Sequence, residues 1–150
     1  MKSPDAVKTQ NAVTGLASTS DPARANALFT WALQGNLSAS NTIDLAIQSA
    51  QLSVNPVAVW SFLKNHRNEF LGIIPVSDHS QVVDSIAENL SDTHDADEVR
   101  EFARSSLSID ARPKLEETAQ KILHRSSMKE RVIPKMNLWI EQNSEPVAKR

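Results

Sequence analysis

The segment NPVAVWSFLKN, residues 55–65, says most about the fold class of this 150-residue sequence. Asn55 can cap the start of a helix, and Pro56 suits the first helical position, where a missing N–H costs nothing. The positions that follow share one helical face, with Trp60 beside it: Val59, Phe62, Leu63, His66 and Phe70. Gly72 and Pro75 mark the end of the helix. A face this apolar predicts a helix that other helices must cover.

The same signals recur on both sides of this segment. Ser20-Asp21-Pro22 predicts a helix start, Gly35 can adopt the left-handed conformation that ends it, and Asn41 can cap the next helix. Eight helices are predicted in all: residues 5–17, 22–35, one that starts at Asn41 and carries apolar residues to Ala50, 55–72, 79–90, 96–106, one that starts at 111 and ends near 124–127, and 127–143, the last kinked at Pro134. We therefore expect an all-α, HEAT-like α-solenoid of antiparallel hairpins in a single domain, residues 1–143, with a flexible tail at 144–150.

Composition narrows the functional classes. With 40% hydrophobic residues the chain can form a packed core, and with no cysteine it has neither disulfides nor zinc–thiolate sites. The net charge of −2 is spread along the sequence, which argues against a nucleic-acid partner. We expect a soluble chain, because the sequence contains neither a signal-peptide pattern nor an apolar run long enough to span a membrane.

No motif for catalysis, cofactor binding or metal binding is evident. The four histidines, at positions 66, 79, 94 and 124, contain no pair at the spacing that would bind one metal ion from one helix. We interpret His66 as a packed or edge side chain, and His94, Asp95 and Asp97 as the acidic first turn of a helix. Three scattered glycines cannot form a phosphate-binding loop. We therefore predict no catalytic, cofactor-binding or metal-ligating residue.

The tryptophans and the charged segment 114–131 have plain structural interpretations. Trp31, Trp60 and Trp139 lie on or beside apolar helical faces, which favours core packing over ligand stacking. The mixed charges of residues 114–131 are typical of a solvated helix face, with a peptide-binding groove as the alternative. In the helix predicted at residues 111–126, an inward face is expected for Leu115, Ala119, Ile122 and Leu123. In the helix predicted at residues 127–143, Val132, Met136, Trp139 and Ile140 keep helical spacing.

Three blocks of sequence, taken in order, resemble the C-terminal helical domain of the gluzincin zinc aminopeptidases, the group that includes aminopeptidase N and puromycin-sensitive aminopeptidase. They are residues 27–35, residues 55–65 and the helix around Trp139. Between the last two, DEVREF at 97–102 resembles the short acidic-then-aromatic helix that those domains carry after a variable loop. The chain departs from the family pattern at Ser38, Asn41 and His66. The resemblance implies a HEAT-like domain that closes over the catalytic domain and shapes the chamber that admits peptides. Zinc and the catalytic residues would lie in a separate upstream domain, so no site residue is carried over.

Two hypotheses follow. The first is a non-catalytic C-terminal domain of a zinc aminopeptidase, whose partner is the catalytic domain or a peptide substrate. The second is a free-standing α-solenoid that binds a peptide or a protein. A domain that caps a partner is expected to expose a contiguous apolar patch when it is isolated, whereas an independent module is expected to end in polar helices. A small enzyme of unknown type is a third possibility.

Overall fold

The computed structural model describes residues 15, 17–19, 21–52 and 56–143. Within these ranges the chain is helical and contains no strand, which confirms the all-α class. The α-helices of this part are α1 (Pro22–Trp31), α2 (Ala39–Leu52), α3 (Pro56–Asn65), α4 (Arg67–Gly72), α5 (His79–Ala87), α6 (Thr93–Ser106) and α7 (Arg112–Asn143). The helix predicted for residues 5–17 falls almost entirely outside the described residues, and the tail at 144–150 lies wholly outside them.

Helix α1 begins and ends as the sequence predicts. The Asp21 side chain accepts a hydrogen bond of 3.0 Å from the Ala23 N–H, and Pro22 occupies the first helical position. A π-helical turn at Ala32–Asn36 follows, in which Gly35 adopts a φ of 88°. A side chain is strained in that left-handed region, so glycine is the residue that can end the helix there.

The start of α2 corrects one prediction. Asn41 does not cap this helix, because the helix begins earlier, at Ala39. The Ser38 hydroxyl accepts the hydrogen bond from the Asn41 N–H at 3.2 Å. A capping side chain binds the N–H two or three positions further on, so Ser38 is the cap and Asn41 is the residue it satisfies.

The core joins all the long helices of the described chain. α1 and α2 both pack against α3, α2 and α3 pack against α5, and the first half of α7 packs against α5 and α6. The largest fully buried side chains run through this arrangement: Phe29, Leu45, Trp60, Leu63, Phe70, Val83, Ile86, Leu90, Val99, Leu115 and Ile122. The predicted inward faces of residues 55–72, 79–90 and 96–106 are thereby confirmed, and Trp60 is more deeply buried than the flanking position that its spacing implied. The single helix predicted over residues 55–72 is wrong, because the backbone leaves the helical conformation at His66 and separates α3 from α4.

A buried polar contact ties α5 to α7. The Thr118 hydroxyl donates a hydrogen bond to the Asp84 carboxylate, and Lys114 Nζ lies 3.0 Å from the other carboxylate oxygen. Asp84 and Thr118 are both buried. A buried carboxylate is costly unless it is paired and hydrogen-bonded, so these contacts fix the position of α7 against α5.

The last helix differs most from expectation. The two helices predicted at residues 111–126 and 127–143 form one α-helix of 32 residues, Arg112–Asn143. Ser127 does not start a new helix, since its carbonyl accepts a hydrogen bond of 3.3 Å from Arg131 Nε within the continuous helix. Pro134 is accommodated inside α7. The helix therefore carries its second half beyond the packed body instead of folding back onto it.

Candidate functional site

A partly buried cluster joins α3 to α6 through Glu98. Trp60 Nε1–H donates to one carboxylate oxygen of Glu98 at 3.1 Å, and Lys64 Nζ lies 2.5 Å from the other. The Trp60 and Phe102 rings are in contact, with 5.3 Å between their centroids. His94 Nε2, on the exposed side, lies 3.5 Å from Glu98. Both acceptor oxygens of Glu98 are thus engaged by donors from the fold, which makes this cluster a structural junction.

The charge of Glu98 is stabilised by its neighbours. Partial burial by itself raises the pKa of this carboxyl, but the hydrogen bond and positive charge of Lys64, together with the Trp60 N–H, outweigh that effect. The pKa of Glu98 is consequently held below its usual value. A carboxylate kept ionised in this way is suited to holding helices together and unsuited to acting as a general acid near neutral pH.

A cleft of about 440 Å³ lies between α6 and the start of α7, and three arginines line it: Arg100, Arg104 and Arg112. Arg100 is neutralised, because its guanidinium contacts both carboxylate oxygens of Glu116 at 2.8 to 3.1 Å. The same contact lowers the pKa of Glu116. Arg112 Nη2 donates to the backbone carbonyl oxygen of Arg104 at 3.2 Å, and both arginines line the cleft. The cleft is therefore cationic and suited to a carboxylate or another anion.

The histidines occupy structural positions. His66 stacks on Phe62 with 4.4 Å between the ring centroids, which agrees with the expectation of a packed edge histidine. His79 Nε2 lies 3.0 Å from the carbonyl oxygens of both Leu71 and Ile74, at the end of α4. His94 and His124 are exposed. Within the described ranges, no group of three or more histidine and acidic residues is placed to hold a metal ion.

The acidic start of α6 is a helix cap. The Asp95 carboxylate accepts hydrogen bonds from the Asp92 N–H at 3.0 Å and the Ser91 N–H at 3.3 Å, in a capping box. This arrangement confirms the interpretation of Asp95 as part of a helix start. Its carboxylate is already used by the backbone, so it is poorly available to a cation.

The second half of α7 carries an exposed apolar surface, here called the C-terminal apolar face. Its residues are Met128, Val132, Ile133, Met136 and Trp139, each between 39% and 65% exposed. Successive α-helical residues are about 100° apart, which places these five on one side of the helix. Val132, Met136 and Trp139 also line a shallow concavity of about 320 Å³.

The prediction that Trp31 and Trp139 lie in the core is therefore wrong. Trp139 is 65% exposed and Trp31 is 43% exposed, whereas Trp60 is fully buried as expected. Val132, Met136 and Ile140, which keep helical spacing with Trp139, are exposed as well. Their helical spacing was correctly identified. What spacing cannot show is whether a neighbouring helix lies opposite.

The arginine cleft was missed in the sequence. Arg100 and Arg104 lie four residues apart, which places them on one helix face, but Arg112 joins them through the turn between α6 and α7. A pair of arginines four residues apart is common on solvated helices. Only the folded chain shows that the turn between α6 and α7 places Arg112 beside this pair, so the sequence alone does not reveal the cleft.

Comparisons of the chain with protein-family models, with curated proteins and with solved structures found no match. Among the helices that the structure describes, none is both long and apolar enough to cross a membrane.

Proposed function

We propose that this chain is the C-terminal helical domain of a zinc metallo-aminopeptidase. It would form a HEAT-like stack that caps the catalytic domain and shapes the chamber that peptides enter, and it would take no part in the chemistry. Zinc would be bound by the catalytic domain.

The observation that carries this proposal is the contact between two blocks of sequence that resemble the family. Residues 55–65 contribute Trp60 and Lys64, and residues 97–102 contribute Glu98 and Phe102, to the single junction between α3 and α6. These blocks are more than thirty residues apart in sequence. The two blocks that resemble the family thus meet in one packed cluster. This contact supports the view that both blocks are needed for the same structural feature.

The C-terminal apolar face adds independent support for a role within an assembly. Exposed apolar patches of this kind mark surfaces that other proteins cover. The second half of α7 exposes apolar side chains where a solvated helix would carry polar ones. The proposed function requires an assembly but does not by itself specify what covers this face.

The proposal is tested on the native gene product. An antibody raised against this chain should detect a protein far larger than 16.5 kDa on an immunoblot of the source cells. The immunoprecipitate should release the N-terminal residue of a chromogenic aminoacyl substrate, and a zinc chelator should abolish that activity. A product of 16.5 kDa without activity would contradict the proposal.

The arginine cleft favours a second candidate function, a free-standing helical module that binds an acidic peptide. Arg104 and Arg112 are exposed and line the cleft together with the apolar side chains of Ile109 and Pro113. A labelled acidic peptide should then bind with a Kd that rises at least about tenfold in the R104A/R112A variant. Substituting the exposed Arg131, which lies outside the cleft, should leave the Kd unchanged.

A further inference from the structure

The C-terminal apolar face continues a helix-packing seam that is already in use. Along α7, residues recur at alternating steps of four and three: Leu115, Ala119, Ile122, Ser126, Lys129, Ile133, Met136 and Ile140. The first four of these are buried against α5 and α6, and the last three are exposed. A spacing of four and three is the pattern by which one helix packs along another. The surface that best fits the exposed half of this seam is therefore a second helix.

Cations lie at the start of the face. Arg125 and Lys129 project from the same side of α7 as the apolar residues. Arg125 lies about one turn before the face begins, and Lys129 lies within its first turn. Arg125 Nε and Nη2 are buried within the chain itself, which leaves the exposed Lys129 as the cation that a partner can reach. The carbonyl groups at the C-terminal end of a helix are free acceptors and carry partial negative charge. A helix that enters antiparallel would bring such an end to Lys129.

The area of the face is sufficient for a pair of copies. If such side chains have full surfaces of about 150 to 250 Å², the exposed fractions of the five residues amount to roughly 500 Å² per copy. Two copies would together bury about 1,000 Å², which is the lower limit for a specific protein interface. The face lies beyond the packed body, so a second α7 can approach it along its whole length.

We propose that two copies of this chain associate through their C-terminal apolar faces, with the two α7 helices antiparallel and crossing near Met136. In this arrangement Met136 of each copy meets its equivalent, and Val132 of one copy lies beside Ile140 of the other. The C-terminal end of each helix, at Asn143, approaches Lys129 of the other copy. The interface is isologous, as in most homodimers.

The association is tested by measuring the mass of the chain by light scattering over a wide range of concentration. We expect the mass to rise from 16.5 kDa towards twice that value. Met136→Glu places a charge at the centre of the face and should raise the dimer Kd at least tenfold. Leu138→Glu is the matched control, since Leu138 is 54% exposed but projects from the opposite side of the helix. That variant should dimerise as the original chain does, and circular dichroism should show unchanged helix content in both.

The orientation is tested by disulfide cross-linking, for which a chain without cysteine is well suited. Met136→Cys should cross-link to itself under mild oxidation. Two Val132→Cys copies would lie about 12 Å apart along the antiparallel pair, too far for a disulfide, and should not cross-link to each other. A mixture of Val132→Cys and Ile140→Cys chains should form the mixed disulfide.

Three results would overturn the proposal. One is a monomer at every concentration, which would assign the face to a different protein while leaving the proposed function intact. Another is a dimer that Leu138→Glu weakens as much as Met136→Glu. The third is efficient cross-linking of Val132→Cys to itself, which requires parallel helices.

Discussion

Trp60 is fully buried, with its ring against Phe102 and its Nε1–H bound to Glu98, whereas Trp139 is 65% exposed. Truncating a buried aromatic side chain costs about 3 to 5 kcal/mol, so we expect Trp60→Ala to lower the free energy of unfolding by that amount. Trp139→Ala is the matched control and should cost less than about 1 kcal/mol. Urea unfolding of dilute protein measures both values. Equal losses would contradict the burial of Trp60.

Glu98 makes stability depend on pH. Its pKa in the folded chain is lowered, because the hydrogen bond and charge of Lys64 outweigh partial burial. The stability it contributes is therefore fully present above its unfolded pKa of about 4.5 and is lost as the pH falls through the lower folded value. Glu98→Gln should be less stable than the original chain at pH 7, and the difference should shrink on acidification towards pH 3.

The control for that measurement is Glu130→Gln, an exposed glutamate on α7 that lies away from the junction. Its stability relative to the original chain should stay nearly constant across the same pH range. A Glu98→Gln variant whose deficit stays constant down to pH 3 would show that the Lys64 contact does not form in solution.

Single residues also show how far sequence reasoning reaches. Asp21, Pro22 and Gly35 were correctly assigned because capping chemistry is local and is completed within a few residues. Asn41 was misassigned because Ser38, three residues earlier, offers the same chemistry and starts the helix sooner. Local rules identify the kind of residue that caps a helix more reliably than they choose between two candidates.

At the scale of the element, α7 shows what the sequence could not decide. His124 to Ser127 is polar enough to be a loop, and Pro134 is a residue that usually bends a helix. The backbone nonetheless continues as a helix from Arg112 to Asn143. Polar side chains do not interrupt a helix whose surface is exposed to solvent. A helix ends where a capping residue is supported by contacts with neighbouring elements. The spacing of apolar residues in the sequence correctly predicts the apolar stripe of this segment. It does not show that no helix packs against that stripe within the described chain.

The continuity of α7 predicts a long distance between its ends. Spin labels on cysteines that replace Glu117 and Glu141, both exposed, are separated by 24 residues of helix. At a rise of 1.5 Å per residue this corresponds to about 36 Å, measured by double electron–electron resonance in a large excess of unlabelled chain. A hairpin with a turn at residues 126–127 would bring the labels within about 20 Å of each other. A dominant short distance would therefore contradict the single helix.

At the scale of the whole molecule, the helical class, the succession of helices and most of the core followed from local spacing. Val83, Ile86, Leu90, Val99 and Phe102 are buried as predicted. The junction at Glu98 and the arginine cleft were not predicted, because each is assembled from helices or turns whose relative placement is set by tertiary packing. The aminopeptidase relationship rests on sequence resemblance and stays a proposal.

The distribution of buried residues predicts where the chain can be shortened. Every buried hydrophobic residue of the described core lies at or before Ile122, and the last buried residue is Ser126. Beyond them, the Lys129 contact with the Ser91 hydroxyl is a surface interaction of small energy. A chain ending at Ser127 should therefore stay folded, with a thermal midpoint within about 5 °C of that of the intact chain at low concentration. It should also fail to dimerise at high concentration.

A chain ending at Thr118 provides the contrasting case, because it lacks Ala119 and Ile122, which are fully buried against α5 and α6. It should lose cooperative thermal unfolding, since removing two core side chains and the helix that carries them costs a large part of the stability of a domain this size. If the chain ending at Ser127 unfolded as well, residues 128–143 would have to pack against the body in solution. That result would favour the folded-back final helix that the sequence first indicated over the extended α7.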